Sequence, residues 1–325
     1  VSFWNNSAST GASDTIDVSS LADKRYYMVL GSTLNGSGGS TQQSLQFNGD
    51  GLNNYGRRYS ADGGGDTANQ ATRISTGAAT QANSLGFTVG YVANKSDKEK
   101  LAISHGVDTN GTTAGNAPKR YEAVGKWANA TDTIDQITIF NPTSGDFQSN
   151  SECVVLGFDP DDTHTTNFWE ELASVDWSSG GSISSGTFTP KKYLWVQGWY
   201  KNAADTGYSR LRVGNTAVDP NNNYHNSYSF NGGADGSAQD NVIYVNVTNT
   251  NASSGLGFFN AFIINKTANE KLVTASGVFT GSTSAPTRNE FVAKWANTSA
   301  QIDIVEITRS ANNFTAGAIK VWGSD

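Results

Sequence analysis

The four residues Lys126-Trp127-Ala128-Asn129 decide how the chain is interpreted, because the same four return as Lys294-Trp295-Ala296-Asn297. They begin at residues 126 and 294 of a 325-residue chain, so the copies lie 168 residues apart, about half its length. Ala117-Pro118 precedes the first copy at the same offset as Ala285-Pro286 precedes the second. This spacing indicates an internal duplication, and each half is long enough to form a domain with its own core.

The duplication predicts two domains, at residues 1–158 and 167–325, joined by a linker at 159–166. The linker contains Asp159-Pro160-Asp161-Asp162, where a proline and clustered carboxylates interrupt the pattern. The stretch from Thr166 to Glu171 resembles a short helical turn that opens the second domain.

Strand patterns dominate the chain. From Leu85 to Ala93, for example, Phe87, Val89 and Tyr91 fall on one face of an alternating segment. Helical periodicity is absent, 35 glycines punctuate the chain, and only 16% of residues are charged. The sequence therefore predicts an all-β protein, a tandem duplication of two jelly-roll-like β-sandwich domains with eight or so strands each.

Charge and cysteine content exclude several classes of protein. The net charge is −7, without a basic cluster that would follow a phosphate backbone, so nucleic acid is not an expected partner. The chain lacks the run of about 20 apolar residues that spans a membrane. Cys153 is the only cysteine and its duplicate position holds Ile319, which indicates a buried structural thiol.

The sequence contains no arrangement typical of a metal or cofactor site. His105, His164 and His225 lie in separate parts of the chain, outside any zinc motif. The carboxylates of Asp159–Asp162 could offer oxygens to calcium, but the segment lacks the glycine and distal glutamate of an EF-hand loop, so a solvated linker is the favoured interpretation. No cofactor and no catalytic residue are expected.

Two glutamates are the obvious candidates for glycoside hydrolysis, which needs a nearby pair of carboxyl groups. Glu122 and Glu290 are, however, equivalent positions in two different domains. We expect each to pair with a neighbouring base, Arg120 or Arg288, and to hold a strand. The chain is therefore interpreted as a non-enzymatic protein.

Aromatic residues are the remaining candidates for contacts. Trp127 and Trp295 occur in both copies, which favours a role in the core. Trp195 and Trp199 share one face of a strand, either of a core or of an interface. Tyrosines among asparagines in two corresponding stretches could stack on sugar rings, although a strand and loop capped by aromatic residues is an open alternative. The candidate contact residues are Phe3, Trp4, Tyr55, Arg57, Arg58, Tyr59, Tyr224, His225 and Tyr228.

The pair Phe3-Trp4 is considered separately, because Phe168-Trp169 repeats it at the start of the second half. This suggests an N-terminal arm that docks on a neighbouring subunit.

A resemblance is carried by the closing segment Asn313 to Gly323 and its weaker copy, Asp146 to Gly157, each preceded by the Lys-Trp-Ala-Asn motif. Together they resemble the virion β-sandwich proteins of tailed bacteriophages, over most of both halves. The resemblance implies a structural role on the virion exterior, as a capsid decoration or cement protein, a head fibre or a tail-associated adhesin.

The expected function is that of a capsid decoration protein on the virion surface, acting through many weak contacts that a symmetric shell multiplies. Expected partners are further copies of the chain, with a trimer favoured, and the major capsid protein. The alternative is a carbohydrate-binding adhesin that recognises polysaccharide through the Tyr and Asn loops.

Overall fold

The computed structural model describes residues 3–8, 11–36, 38–77, 81–163, 167–203, 207–246, 255–280 and 285–325. Its contacts divide the chain into two compact units. The first is formed by Val1–Thr112 with Lys119–Phe168, and the second by Thr113–Pro118 with Trp169–Asp325. The sequence places the boundary within 159–166, and it does not predict that 113–118 belongs to the second unit.

The first unit contains twelve strands among its described residues. They are β1 (Phe3–Ala8), β2 (Thr15–Val18), β3 (Tyr26–Leu34), β4 (Ser44–Phe47), β5 (Tyr55–Ala61), β6 (Thr67–Ala71), β7 (Ile74–Ser75), β8 (Leu85–Ala93), β9 (Lys100–Asp108), β10 (Lys119–Trp127), β11 (Ile137–Phe140) and β12 (Glu152–Phe158).

The second unit repeats these strands and adds one short strand, β17. They are β13 (Glu170–Trp177), β14 (Ser182–Thr187), β15 (Tyr193–Asn202), β16 (Ser209–Asn215), β17 (Ala217–Val218), β18 (Tyr224–Phe230), β19 (Gly236–Asp240), β20 (Ile243–Asn246), β21 (Leu256–Ile264), β22 (Lys271–Thr280), β23 (Thr287–Trp295), β24 (Ile304–Arg309) and β25 (Phe314–Ser324).

The strand order is the same in both units. An eight-stranded sheet runs β1-β12-β3-β8-β9-β10-β5-β6 in the first unit and β13-β25-β15-β21-β22-β23-β18-β19 in the second. The shorter sheets run β2-β11-β4-β7 and β14-β24-β16-β17, with β20 paired to β16. This confirms the predicted fold class, an all-β tandem of two β-sandwich domains, with more strands per domain than the eight expected.

Each unit has one core between its two sheets. In the first unit, Val29, Ala102 and Trp127 from the long sheet meet Ile16 and Ile137 from the short sheet. Because successive side chains of a strand point to opposite faces, every second residue of the long sheet enters this core. The intervening residues form the outer face of the sheet.

The N-terminal aromatic pair is not a free arm. The backbone of Phe3 and Trp4 lies in β1 and pairs with Gly157 and Leu156 of β12. The hypothesis of an arm that docks on a neighbouring subunit is therefore wrong for the backbone, which completes the edge of its own sheet. The side chains of Phe3 and Trp4 lie outside the described part of the chain.

The second aromatic pair is not the structural equivalent of the first. Glu170 pairs with Gly323 at the edge of the second unit, in the place where Phe3 pairs with Gly157. Phe168-Trp169 therefore precedes the edge strand. The helical turn expected at 166–171 is wrong at its end, because Glu170 and Glu171 begin a strand. Thr166, at its start, lies outside the described residues.

Candidate contact surfaces on the outer sheet faces

The two tryptophans of the repeated motif hold the same position in both cores. Trp127 and Trp295 are buried, which confirms the predicted core role. Trp127 Nε1 donates a hydrogen bond of 2.7 Å to Asp50 Oδ2, and Trp295 Nε1 donates one of 2.8 Å to Asp219 Oδ2. Although burial acts in the opposite direction, the hydrogen bonds to the Asp50 carboxylate lower its pKa. The motif thus fixes a loop aspartate against the core.

Two candidate tyrosines are core residues. Tyr55 and Tyr224 are buried, and each faces inwards beside the repeated tryptophan. The hydroxyl of Tyr55 accepts a hydrogen bond of 2.9 Å from the amide of Phe47, and the hydroxyl of Tyr224 donates one of 2.6 Å to the carbonyl of Val213. Their prediction as exposed contact residues is wrong, because each hydroxyl links the long sheet to the short sheet.

His225 also lies in a buried position, although it is on the outer face of its strand. Its Nδ1 lies 2.7 Å from the carbonyl oxygen of Ala114. Burial, reinforced by the charge of Lys294, lowers the pKa of His225 despite that carbonyl. A solvent-exposed contact role for His225 is therefore wrong.

The other candidate tyrosines are half-buried. Tyr59 stacks on Tyr121, with ring centroids 5.2 Å apart, and Tyr228 meets Tyr244 edge-on at 5.7 Å. These contacts favour the alternative interpretation, a strand and loop capped by aromatic residues.

The two adjacent arginines point to opposite faces of β5. The guanidinium of Arg57 lies 5.4 Å from the centroid of the Tyr59 ring, and its Nε donates a hydrogen bond of 2.9 Å to Asn69 Oδ1. Arg58 lies on the outer face and forms an exposed ion pair of 3.4 Å with Asp66. Of the two, Arg58 is the one placed for contacts on the outer face.

The two glutamates hold strands, as predicted. Glu122 pairs with Arg120 in the first unit, and Glu290 lies 3.4 Å from Arg288 in the second. The side chain of Arg120 is almost fully buried, whereas that of Arg288 is 60% exposed.

Two carboxylates of the linker, those of Asp159 and Asp162, are paired. Asp162 Oδ1 lies 2.5 Å from Lys24 Nζ, and Asp159 Oδ1 accepts a hydrogen bond of 2.9 Å from the amide of Arg25. Among the residues that the structure describes, no three His, Cys, Asp or Glu side chains form a group that could hold a metal ion. Cys153 is buried, as predicted, and burial raises the pKa of its thiol.

The outer face of the first unit carries an exposed row of four side chains across β8, β9, β10 and β5. Tyr91 is paired with Ile103, Ile103 with Val124, and Val124 with Arg58. We call these four residues the Ile103 row. Leu101 lies beside it, and both Leu101 and Ile103 are 56% exposed. The row borders a concavity of about 870 Å³ whose rim includes Asn53 and Lys126.

The second unit carries its own exposed row at a different place on its outer face. Trp199 is paired with Phe258, Phe258 with Val278, and Val278 with Arg288. We call these four the Phe258 row. Trp195 and Trp199 both lie on the outer face and not in the core between the sheets. Trp195 packs against other aromatic rings there, and Trp199 is exposed.

Exposure is reversed between equivalent positions of the two units. The strand pairing makes Thr274 and Val292 the equivalents of Ile103 and Val124, and both are buried. Conversely, Phe258 is 44% exposed, whereas its equivalent Phe87 is 1% exposed. Val278 and Val107 differ in the same direction. Each unit therefore has one buried and one open region on the same outer face.

The buried region of the second unit lies beside the segment 113–118, which belongs to that unit. The amide of Thr113 donates a hydrogen bond of 2.6 Å to Glu270 Oε1. The hydroxyl of Ser227 donates one of 2.7 Å to the carbonyl of Pro118, and His225 contacts Ala114 as described above. Three polar contacts thus fix this segment on the outer face.

A charge pair on this face occurs in both units. Lys126 Nζ lies 2.9 Å from Glu99 in the first unit, where both side chains are exposed. Lys294 Nζ lies 3.3 Å from Glu270 in the second unit, where both are buried. The pair is retained while its surroundings change from water to protein.

Comparison with known proteins adds no family. No family model matches the chain, and no curated protein matches it. Among solved structures, domains LG4-5 of the mouse laminin alpha1 chain are 10% identical, with 97% of this chain and 87% of that chain covered and a TM-score of 0.21. A chain from the structure of Sulfolobus turreted icosahedral virus is 9% identical, with 100% of this chain and 91% of that chain covered and a TM-score of 0.16. Scores this low carry no argument about fold or function. In the described part of the chain, no helix has the length and hydropathy needed to cross a membrane.

Proposed function

We propose that the protein is a non-enzymatic structural protein of a virion exterior, which acts through contacts of its outer sheet faces with other proteins. The observation that carries the proposal is the pair of exposed rows, one on each unit, each with three aromatic or aliphatic side chains and one arginine. Exposed apolar side chains that adjoin one another across strands are typical of interaction surfaces. The resemblance to phage proteins implies a capsid decoration protein. A protein of that class needs such surfaces and needs no reaction centre.

The polar groups near the first row are bonded to one another. The carboxylate of Glu99 is paired with Lys126, and the amide groups of Asn54 and Asn69 are hydrogen-bonded to Asp50 and Arg57. These groups stabilise the loops around the concavity. The same bonds reduce the polar atoms available for a polysaccharide, and Tyr55 and Tyr224 are buried. Protein contact is therefore the function that this surface supports best.

The test is to look for the chain in purified virus particles from the source of the sequence. We expect peptide mass spectrometry to find it in the particles, and gold-labelled antibodies against it to decorate their exterior. The purified chain should also sediment with capsids that lack it. Absence of the chain from the particles, together with no sedimentation with capsids, would contradict the proposal.

A further inference from the structure

The duplication supplies a comparison that an isolated domain does not offer. Ile103 and Val124 are exposed although their equivalents are buried, and Phe258 and Val278 are exposed although theirs are buried. The same sandwich therefore accepts a cover at each of these two regions. In each unit one region remains open to water, and the open regions are different.

The segment 113–118 shows what kind of chain fits one of these regions. It ends in Ala117-Pro118 and is held on the outer face of the second unit by Glu270 and Ser227. The sequence contains the counterpart of its last two residues, Ala285-Pro286, directly before β23. Ala285 and Pro286 are exposed. The chain thus carries a second Ala-Pro pair and, on the first unit, a second face to receive it.

We propose that the Phe258 row and Ala285-Pro286 of one molecule dock on the Ile103 row of a second copy of this chain. The inference rests on the proposed contact function and names the partner. Docking removes both rows from water at once, and burial of apolar surface is the main favourable term in such association.

The polar groups around the Ile103 row suit this partner. Arg58 occupies the place of Ser227, whose hydroxyl donates to the carbonyl of Pro118. A guanidinium donates hydrogen bonds over a longer reach, so Arg58 is placed to donate to the carbonyl of Pro286. Its present partner, Asp66, is exposed, and an ion pair of that kind is rearranged at little cost. Glu99 corresponds to Glu270 as an acceptor for a backbone amide.

The two docking surfaces differ, so the contact is head-to-tail rather than two-fold. Each molecule uses its second unit to bind one neighbour and its first unit to bind another. Contacts of this type generate a closed ring when the rotation closes, and a filament when it does not. The trimer favoured from the sequence is one such ring.

The experiment is sedimentation velocity of the full chain at about 1 to 100 µM, a range that covers weak interfaces. Ile103→Glu blocks one surface and Phe258→Glu blocks the other. Both side chains are exposed, so both variants should keep the native melting temperature. Val124→Glu and Val278→Glu are second variants of the two rows. Leu52→Glu, at a position that is 70% exposed and outside both rows, is the matched control.

We expect the native chain and the Leu52→Glu control to associate alike. Each row variant alone should weaken association by roughly 30-fold or more, as loss of a central interface residue does. A mixture of Ile103→Glu and Phe258→Glu should form a one-to-one pair of twice the 34.4 kDa chain mass and nothing larger, because each variant retains the surface that the other has lost.

Three results would overturn the inference: a native chain that is monomeric at about 100 µM, row variants that associate like the native chain, or a mixture that does not pair. The proposed function is tested separately, by the search for the native chain in purified virus particles. If the mixture pairs but the chain is absent from virus particles, the virion role is wrong and self-docking holds. If the chain is on particles but the mixture stays monomeric, the virion role holds and self-docking is wrong.

Discussion

Strands β9 and β22 are the same strand of the fold in two different surroundings. Leu101 and Ile103 of β9 are exposed, whereas Leu272 and Thr274 of β22 are buried. On the inner side, Ala102 and its equivalent Val273 are buried in both. The comparison shows that the two copies have kept one face of the sheet buried in the core and differ in the exposure of the other face.

The largest effect is expected from truncation of the same leucine in both strands. Leu272→Ala removes a fully buried side chain and should lower the free energy of unfolding by roughly 2 to 5 kcal/mol. Leu101→Ala removes an exposed side chain, so a change of no more than about 0.5 kcal/mol is expected. Chemical denaturation of both variants at low concentration provides the measurement. Equal losses would show that the two outer faces do not differ in solution.

A symmetrical effect is expected on the inner side. Tyr55→Phe leaves the amide of Phe47 without its acceptor, and Tyr224→Phe leaves the amide of Val213 without its acceptor. Each should cost roughly 1 to 3 kcal/mol, the usual penalty for an unpaired buried polar group. Tyr26→Phe, at an exposed position, is the control. Thermal unfolding that responds in only one unit would break the equivalence of the two cores.

The smallest effect is expected from pH. The folded pKa of His225 lies below its ordinary value because the ring is buried and faces Lys294. The unfolded chain therefore binds a proton first as the pH falls below about 6.5, and stability decreases from there towards the folded pKa.

His225→Gln should remove this decrease, since an amide can donate to Ala114 without titrating. Urea midpoints at neutral and mildly acidic pH compare the two proteins. The first unit has Gly56 at the equivalent position and contributes no such change. A native chain whose acid sensitivity is unaffected by His225→Gln would disprove this assignment.

The sequence was sufficient to predict the fold class, because the repeated Lys-Trp-Ala-Asn motif and period-two alternation are local signals. It also identified Trp127 and Trp295 as core residues, Cys153 as a buried thiol and Arg120 as the partner of Glu122. Each of these depends on a pattern within one strand or on its repetition.

The candidate tyrosines could not be placed in the same way. An Asn-rich stretch suggests an exposed loop, but Tyr55 and Tyr224 begin strands. Their hydroxyls bond to residues 8 and 11 positions earlier, which lie in the opposite sheet, and the sequence does not show that the chain crosses between sheets there. The outer rows were missed for a related reason. Trp199 and Phe258 are 59 positions apart in the sequence and become neighbours only through the register of β15 and β21.

The placement of the shared hydrogen bonds has a consequence for how such a protein evolves. The hydrogen bonds of Trp127, Tyr55 and their counterparts all lie on the inner side of the long sheet. The inward-facing half of the positions in each strand therefore forms the core that both copies share. The outer positions differ between the copies, as the buried Leu272 and the exposed Leu101 show. After the gene segment was duplicated, the outer faces of the two copies diverged in their exposed side chains while the two cores stayed alike, so the surface changed without a new architecture.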